Sequence, residues 1–429
     1  MLLHLGRVPV LVVSTADAAR EIMKTQDLIF SNRPKLRIPD KILYSCKDVS
    51  FAPYGEYWRH VRSICVLQLL SNKRVQSFRH VRETETSLMI QKIKLQESSS
   101  VVNLSDVFST LTNDIVCKAA FGRKYNNSDG QQFKVLLAEF VELLGRFSVG
   151  DYVPWLGWID GINGLSTRVD KVAKEFDQFL EGVILEKKLD GMVHKDHKGS
   201  DFVDILIQIQ RESEDTSHPI ENDVIKALIL DMFAAGTDTT SSVLVWTMTE
   251  LLRHPNTLKK LQNEVTTAGK EEITEDDLDK MHYLKAVIKE SLRLHTPLPL
   301  LVPRESTEDT KVMGYEIAAR TQVIINAWAI SRDPLLWEDP QEFKPERFLE
   351  TSIDFKGVHF ELIPFGAGRR GCPGLTFAVA VNELALAKLV HKFNIGLPNG
   401  ETEKDLDISE VNGITVHKKH PLLVVINPR

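Results

Sequence analysis

One segment constrains the fold more than any other. Asn222 to Arg253 is mostly apolar and free of proline, and it reads as one long helix, about 48 Å at 1.5 Å per residue. Pro255 stops it. A helix that long, apolar on most of its faces, has to be wrapped by other elements, so it is expected to cross the middle of a sizeable domain. At 429 residues and 43% hydrophobic, the chain can supply the wrapping. Length alone suggests about three domains of roughly 150 residues. No Pro/Ser linker, repeat or low-complexity tract separates them, so residues 1–429 read as a single, mainly α domain.

Further helical patterns run over Ala16–Lys24, Tyr57–Leu70, Asp170–Lys188 and Met281–His295. Met1 to Val13 looks like two short strands around a turn, and Val312 to Ala327 holds more strand-like runs. The expected fold class is therefore mainly α with a small β portion, built from the N-terminal strands and parts of the C-terminal half. Asn32 to Ala52 reads as irregular and Asp190 to Ser200 as a polar loop. Asp151 to Ile159 is too broken by Pro154 and Gly157 for a long helix.

The formal charge of −6 gives no nucleic-acid signature. Cys46, Cys65, Cys117 and Cys372 lie far apart, which argues against a disulfide scaffold and for a reducing compartment. Cys65 and Cys117 sit in apolar helical patterns as small hydrophobes.

Cys372 differs. It stands in Pro364-Phe365-Gly366-Ala367-Gly368-Arg369-Arg370-Gly371-Cys372-Pro373-Gly374, where glycines let the backbone bend around one sulfur. An apolar helix follows from Leu375 to Val390. Its positive end and free backbone N–H groups favour a thiolate. With no second cysteine nearby, a zinc knuckle does not fit. The arrangement suits one soft anionic ligand on the axial position of a haem iron. The plain alternative is a structural cysteine in a tight turn.

Within the long helix lies Ala235-Gly236-Thr237-Asp238-Thr239-Thr240. Gly236 weakens the helix by about 1 kcal/mol relative to alanine, and the Thr239 hydroxyl can bond back to a carbonyl one turn earlier and bend it. Such a break would make room for dioxygen, with Asp238 and Thr239 as an acid and an alcohol for a proton relay; the plain alternative, which the motif alone favours, is a helix bend with a satisfied polar pair. Glu290 and Arg293, three apart, share a helix face. By themselves they read as a surface pair.

The cysteine loop resembles the haem-binding signature of cytochrome P450 enzymes, Phe-x-x-Gly-x-Arg-x-Cys-x-Gly, through Phe365, Gly368, Arg370, Cys372 and Gly374. Ala235 to Thr240 matches that family's oxygen-activation motif. The resemblance spans the chain from its first residue, and Phe51-Ala52-Pro53-Tyr54-Gly55-Glu56-Tyr57-Trp58-Arg59 looks like the plant A-type clan. It implies the cytochrome P450 fold, haem b on Cys372, proton delivery by Asp238 and Thr239, and a structural network of Glu290, Arg293 and Arg347. Trp58, Arg62, Arg304 and Arg370 become donors to the haem propionates.

By the same resemblance the substrate pocket is lined from Ser45–Ser50, Phe233, Ala234, Leu298–Val302, with Leu298, Leu301 and Val302 foremost, and Gly413–Val416, Ile414 included. Most of these are apolar, which favours a hydrophobic substrate without naming one; the resemblance to the plant A-type clan implies a small specialised metabolite such as a terpenoid, coumarin, indole or alkaloid. The expected partner is NADPH-cytochrome P450 reductase, docked on a run of Arg59, Arg62, Lys73, Arg74, Arg79 and Arg82 without an intervening acid. Location on the cytosolic face of the endoplasmic reticulum membrane is implied too, although the family's anchor, hinge and first helix are missing ahead of Met1. Trp155 and Trp158 form either a membrane-dipping patch or a loop folded onto its own core. Two rivals stand beside a monooxygenase: a peroxide-rearranging isomerase or dehydratase on the same fold, and an inactive or poorly folded truncated product.

Overall fold

The computed structural model describes every residue except 97–99, 125–127, 194–200, 214–218, 268–270 and 412. Helices dominate it. The long apolar segment runs as Asn222–Ala234, a π-helical turn Ala235–Thr239, and Thr240–Arg253. Every residue from Thr240 to Leu252 is buried, because the helices Leu104–Phe121, His282–Leu294 and Leu375–Lys392 pack around it. The first of these is fixed at both ends. Asn103 accepts from the Ser105 and Asp106 amides, and Gly122 closes it at φ +73°.

Part of the small β portion sits where the strand-like runs predict, while Val101–Asn103, Phe393–Gly396 and Leu423–Pro428 form a further three-stranded sheet outside them. Leu2–Leu5 and Val8–Val13 form a hairpin, Val8–Val13 pairs in parallel with Gln322–Ile325, and Arg304–Glu305 takes the far edge. Leu11 and Val13 of one strand and Val323 and Ile325 of its parallel partner join Ala19, Ile22, Phe30 and Phe360 in an apolar cluster separate from the main core. The sheet thereby holds Arg304 against the rest of the molecule.

Two segments differ in detail from expectation. Asn32–Ala52 contains a helix, Arg37–Ile42. The amphipathic pattern over 170–188 is the middle of a longer helix, Leu165–Val193, which extends into the expected polar loop. Residues 194–200 of that loop lie outside the described residues. Asp151–Ile159 is broken as predicted, into Val149–Tyr152, Pro154–Leu156 and Ile159–Ile162. Trp155 and Trp158 there do not fold inward, being 57% and 61% exposed. None of the described helices is long and apolar enough to cross a membrane.

Candidate active site

The cysteine loop keeps its shape through glycine. Gly368 has φ +68°, and a Cβ there would collide with the Met23 carbonyl oxygen and stand 2.7 Å from the Asp27 carboxylate. The turn closes where the Cys372 N–H donates to the Phe365 carbonyl at 2.8 Å. The helix Leu375–Lys392 then begins directly after Gly374. Cys372 lies deep in the protein, yet its side chain is exposed, because it opens onto an internal cavity of about 240 Å³. Burial pushes its thiol up, against the opposing pull of the Gly374 amide, Arg62 and the Leu375 amide. The features expected to favour a thiolate are thus present but are outweighed by desolvation, and a bound metal cation is what deprotonates such a thiol outright. Cys46, Cys65 and Cys117 are buried in the core. Burial, reinforced by nearby Asp48 and Asp40, pushes the Cys46 thiol up to about 12.

A second wall of the cavity is the π-helical turn. A Cβ on Gly236 would stand 3.1 Å from the Val116 Cγ2, so the helix Leu104–Phe121 crosses close behind it. The Thr239 hydroxyl donates to the Ala235 carbonyl one turn earlier, the bond expected from its spacing. Thr239 lines the cavity. Asp238 is turned the other way, its carboxylate 3.2 Å from the Nε2 of His417.

Cations crowd another wall. Arg33, Arg62, Arg304 and Arg370 all line the cavity. Arg370 donates to the carbonyls of Ser31, Val49 and Ala52 and lies 4.1 Å over the Trp58 ring. The Trp58 indole N–H is committed to the Val49 carbonyl at 3.0 Å, so in this structure Trp58 is a platform for Arg370. Arg62 reaches the Gly371 carbonyl at 2.5 Å. Arg304 is paired with Asp27 at 3.2 Å and also donates to Ala367. Arg33, which carries no motif, donates to Ser50, Val302 and Pro303. Burial, then repulsion from Arg304 and Arg62, pushes Arg370 down to about 9. Burial with repulsion from Arg370 and Arg304 holds Arg33 well below its ordinary value. Four guanidiniums that destabilise one another around an apolar cavity fit a ligand that brings its own carboxylates, as the two propionates of haem do.

Glu290, Arg293 and Arg347 come together away from this cavity. Glu290 and Arg293 are fully buried, 2.7 Å apart, and Arg347 reaches Glu290 at 3.1 Å. The surface-pair alternative therefore does not hold.

The pocket expectations divide. Leu298, Leu301 and Val302 line the cavity, as do Phe365 and Gly374 of the loop. Phe233 does not. It is fully buried and stacked on Phe121 at 4.8 Å. Ala234 is also absent from the lining, which falls instead on Met232, Ala235, Gly236 and Thr239 of the same helix. Phe233, Ala234 and Met232 are all apolar, so apolarity does not mark which of them meets the cavity. Ile414 is partly buried against the core, its amide beside Gly145, and leaves the lining too. The basic run is also smaller than its sequence. Arg82 is buried on Glu275, Arg79 pairs with Asp276 and Glu83, and Arg62 faces the cavity. Arg59, Lys73 and Arg74 remain.

One sulfur opening on an apolar cavity edged by guanidiniums, within this helical fold, defines a haem protein of the cysteine-ligated class. The model of the cytochrome P450 family matches residues 1–425, and the chain belongs to that family. It is 58% identical over 445 residues to cytochrome P450 71A6 of Nepeta racemosa, covering 100% of this chain and 87% of that one. It is 58% identical over 431 residues to (+)-menthofuran synthase of Mentha piperita, covering 100% and 86%. Norfluorocurarine oxidase of Strychnos sp is 54% identical over 436 residues, covering 99% and 85%. A zebra fish cytochrome P450 solved with progesterone superposes with a TM-score of 0.84 at 26% identity, over 100% of this chain and 96% of that one. The chain is accordingly a cytochrome P450 monooxygenase of the plant type, with haem held by a cysteine thiolate.

Proposed function

We propose that this enzyme inserts one oxygen atom from O2 into a small hydrophobic plant metabolite of the terpenoid, coumarin, indole or alkaloid class. Electrons come from NADPH through NADPH-cytochrome P450 reductase. The single observation that carries the reading is the cavity itself. It is open to Cys372 and Thr239, and its remaining lining is rich in apolar side chains such as Val116, Phe202, Met232, Val243 and Leu298. Two relatives bear the names menthofuran synthase and norfluorocurarine oxidase, which supports a small-molecule substrate.

Residues 1–429 act as one haem domain, and bound haem supplies the dioxygen chemistry. Cys372 would hold its iron, and Arg62, Arg304 and Arg370, with Arg33, would neutralise its carboxylates. With its proton on Ala235, the Thr239 oxygen presents lone pairs to the cavity, and Asp238 feeds protons towards it. A peroxide rearrangement needs no such pair, so Asp238 and Thr239 favour the monooxygenase over an isomerase or dehydratase. Glu290, Arg293 and Arg347 hold the scaffold.

The reductase docks over Arg59, Lys73 and Arg74. Trp155 and Trp158 sit in the headgroup region of the endoplasmic reticulum membrane, on its cytosolic face, where an indole ring is favoured.

The test is spectral and then chemical. Reduced, CO-treated protein is expected to show the strongly red-shifted band of a thiolate-bound haem, and Cys372→His is expected to abolish it. With the reductase and NADPH, a panel of terpenes, coumarins, indoles and alkaloids is expected to yield an oxygenated product. A red-shifted band that survives Cys372→His would remove the ligand assignment. Turnover of a hydroperoxide without NADPH, with no NADPH-dependent product, would establish the isomerase reading instead.

A further inference from the structure

Asp238 points away from the cavity, yet it is not left to solvent. Its Oδ2 lies 3.2 Å from the Nε2 of His417, a residue 179 positions later in the chain. Asp238 is 20% exposed and His417 38% exposed, so the imidazole spans the distance between the turn and bulk water.

The strand that carries His417 is fixed to the helix. His417–Lys418 pairs with Glu410–Val411. The preceding Val416 carbonyl accepts from Ser242 at 2.9 Å and from Trp246 at 3.3 Å. The Val416 N–H donates to the Pro297 carbonyl. A side chain on a strand anchored next door is held in register with the turn it faces.

The other charged groups nearby turn elsewhere. Lys418 donates to the His420 carbonyl and answers to Asp407. Glu410, across the strand pair, acts on Arg332. Burial pushes the His417 imidazolium down, but the hydrogen bond and charge of Asp238 push it up and prevail, leaving it above the usual histidine value.

We propose that His417 is the solvent-side positioning residue of the proton route, orienting the Asp238 carboxylate and reloading it with protons drawn from water. In each cycle the imidazolium Nε2–H passes its proton to Asp238 Oδ2. The pair changes from imidazolium–carboxylate to imidazole–carboxylic acid. The protonated Asp238 then turns from His417 towards the cavity wall and releases that proton to Thr239, and the ring regains one from water at its exposed edge. No electrons move in these steps. The inference rests on the assignment of Asp238 and Thr239 as the relay.

The first measurement is made on the resting holoenzyme. Histidine C2-hydrogen exchange followed by mass spectrometry is expected to give His417 a midpoint above 6.5, falling in Asp238→Asn. A midpoint that does not move in Asp238→Asn overturns the pairing. The second uses reductase-driven NADPH consumption, with limonene as the probe. Wild-type consumption is expected to fall as the pH rises through the His417 midpoint. His417→Gln is expected to be slower by on the order of tenfold, less than the 10²–10⁴ contributed by a group that itself transfers the proton to the reacting centre. It is also expected to lose the alkaline fall and to show a larger solvent deuterium isotope effect. His417→Lys restores a cation, recovers most of the rate and moves the fall to higher pH. Slow Asp238→Asn beside a His417→Gln enzyme with wild-type rate and isotope effect overturns this inference alone. Wild-type consumption by Asp238→Asn overturns the relay as well.

Discussion

Replacing Glu290 by alanine tests the scaffold most directly. Its carboxylate accepts four hydrogen bonds: from Arg293 Nε at 2.7 Å and Nη2 at 2.8 Å, from the Lys344 amide at 2.8 Å and from Arg347 Nε at 3.1 Å. Glu290 and Arg293 have no solvent exposure, and the Arg347 side chain is 9% exposed. Three of the donors are therefore left in a dry interior, two of them cationic. Bonds to charged groups contribute about 1.5–3 kcal/mol each, but Arg293 keeps its bonds to the Ser331, Pro340 and Glu342 carbonyls. The expected loss is thus the about 3–5 kcal/mol of a buried pair broken on one side. Against a total stability of about 5–15 kcal/mol, that leaves little margin. Glu290→Ala is expected to express mainly as insoluble or haem-free protein, measured as the CO-active haem per milligram of soluble chain. Glu290→Asp retains the charge at shorter reach and is expected to fall between. A soluble, haem-replete Glu290→Ala protein whose only defect is slower turnover would falsify this account, because it would mean that Arg293 and Arg347 need no counter-charge.

Three further outcomes follow from single contacts. Thr239→Ala removes the hydroxyl on the cavity wall and is expected to leave haem binding intact while NADPH is diverted to hydrogen peroxide; unchanged product per NADPH would take Thr239 out of the relay. Arg33→Lys keeps a cation but not the fork that reaches Ser50, Val302 and Pro303 together, so haem occupancy is expected to drop severalfold at equal folding, and full occupancy would show that this arginine does not serve the haem. In liposome flotation the wild-type protein is expected to float in part and the Trp155→Ser/Trp158→Ser variant less, whereas equal flotation of two folded proteins would leave these exposed tryptophans without a membrane role.

Local chemistry was legible from the sequence. The bend around Cys372 requires backbone that glycine accepts, and Gly368 at φ +68° supplies it. The Thr239 bond to Ala235 is fixed by a spacing of four, and the long helix by its mostly apolar, proline-free run. Glu290 and Arg293 were visible as neighbours for the same reason, since three residues on a helix share one face.

What joins distant parts of the chain could not be read in this way. Burial of Arg82 depends on Glu275, 193 residues away, and that contact subtracts a cation from a run that looks uniformly basic in sequence. Arg33 follows no motif and becomes a cavity residue only because the loop bearing it meets Val302 and Pro303. Whether Phe233 or Met232 faced the cavity could not be read from their shared apolarity; the choice is made where Phe121 stacks on Phe233. The sequence determined the local turns and helices, because these depend on φ, spacing and neighbouring side chains. The tertiary structure decided which charges are neutralised, which face lines the cavity and that His417 meets Asp238, because each depends on contacts that exist only after the chain has packed.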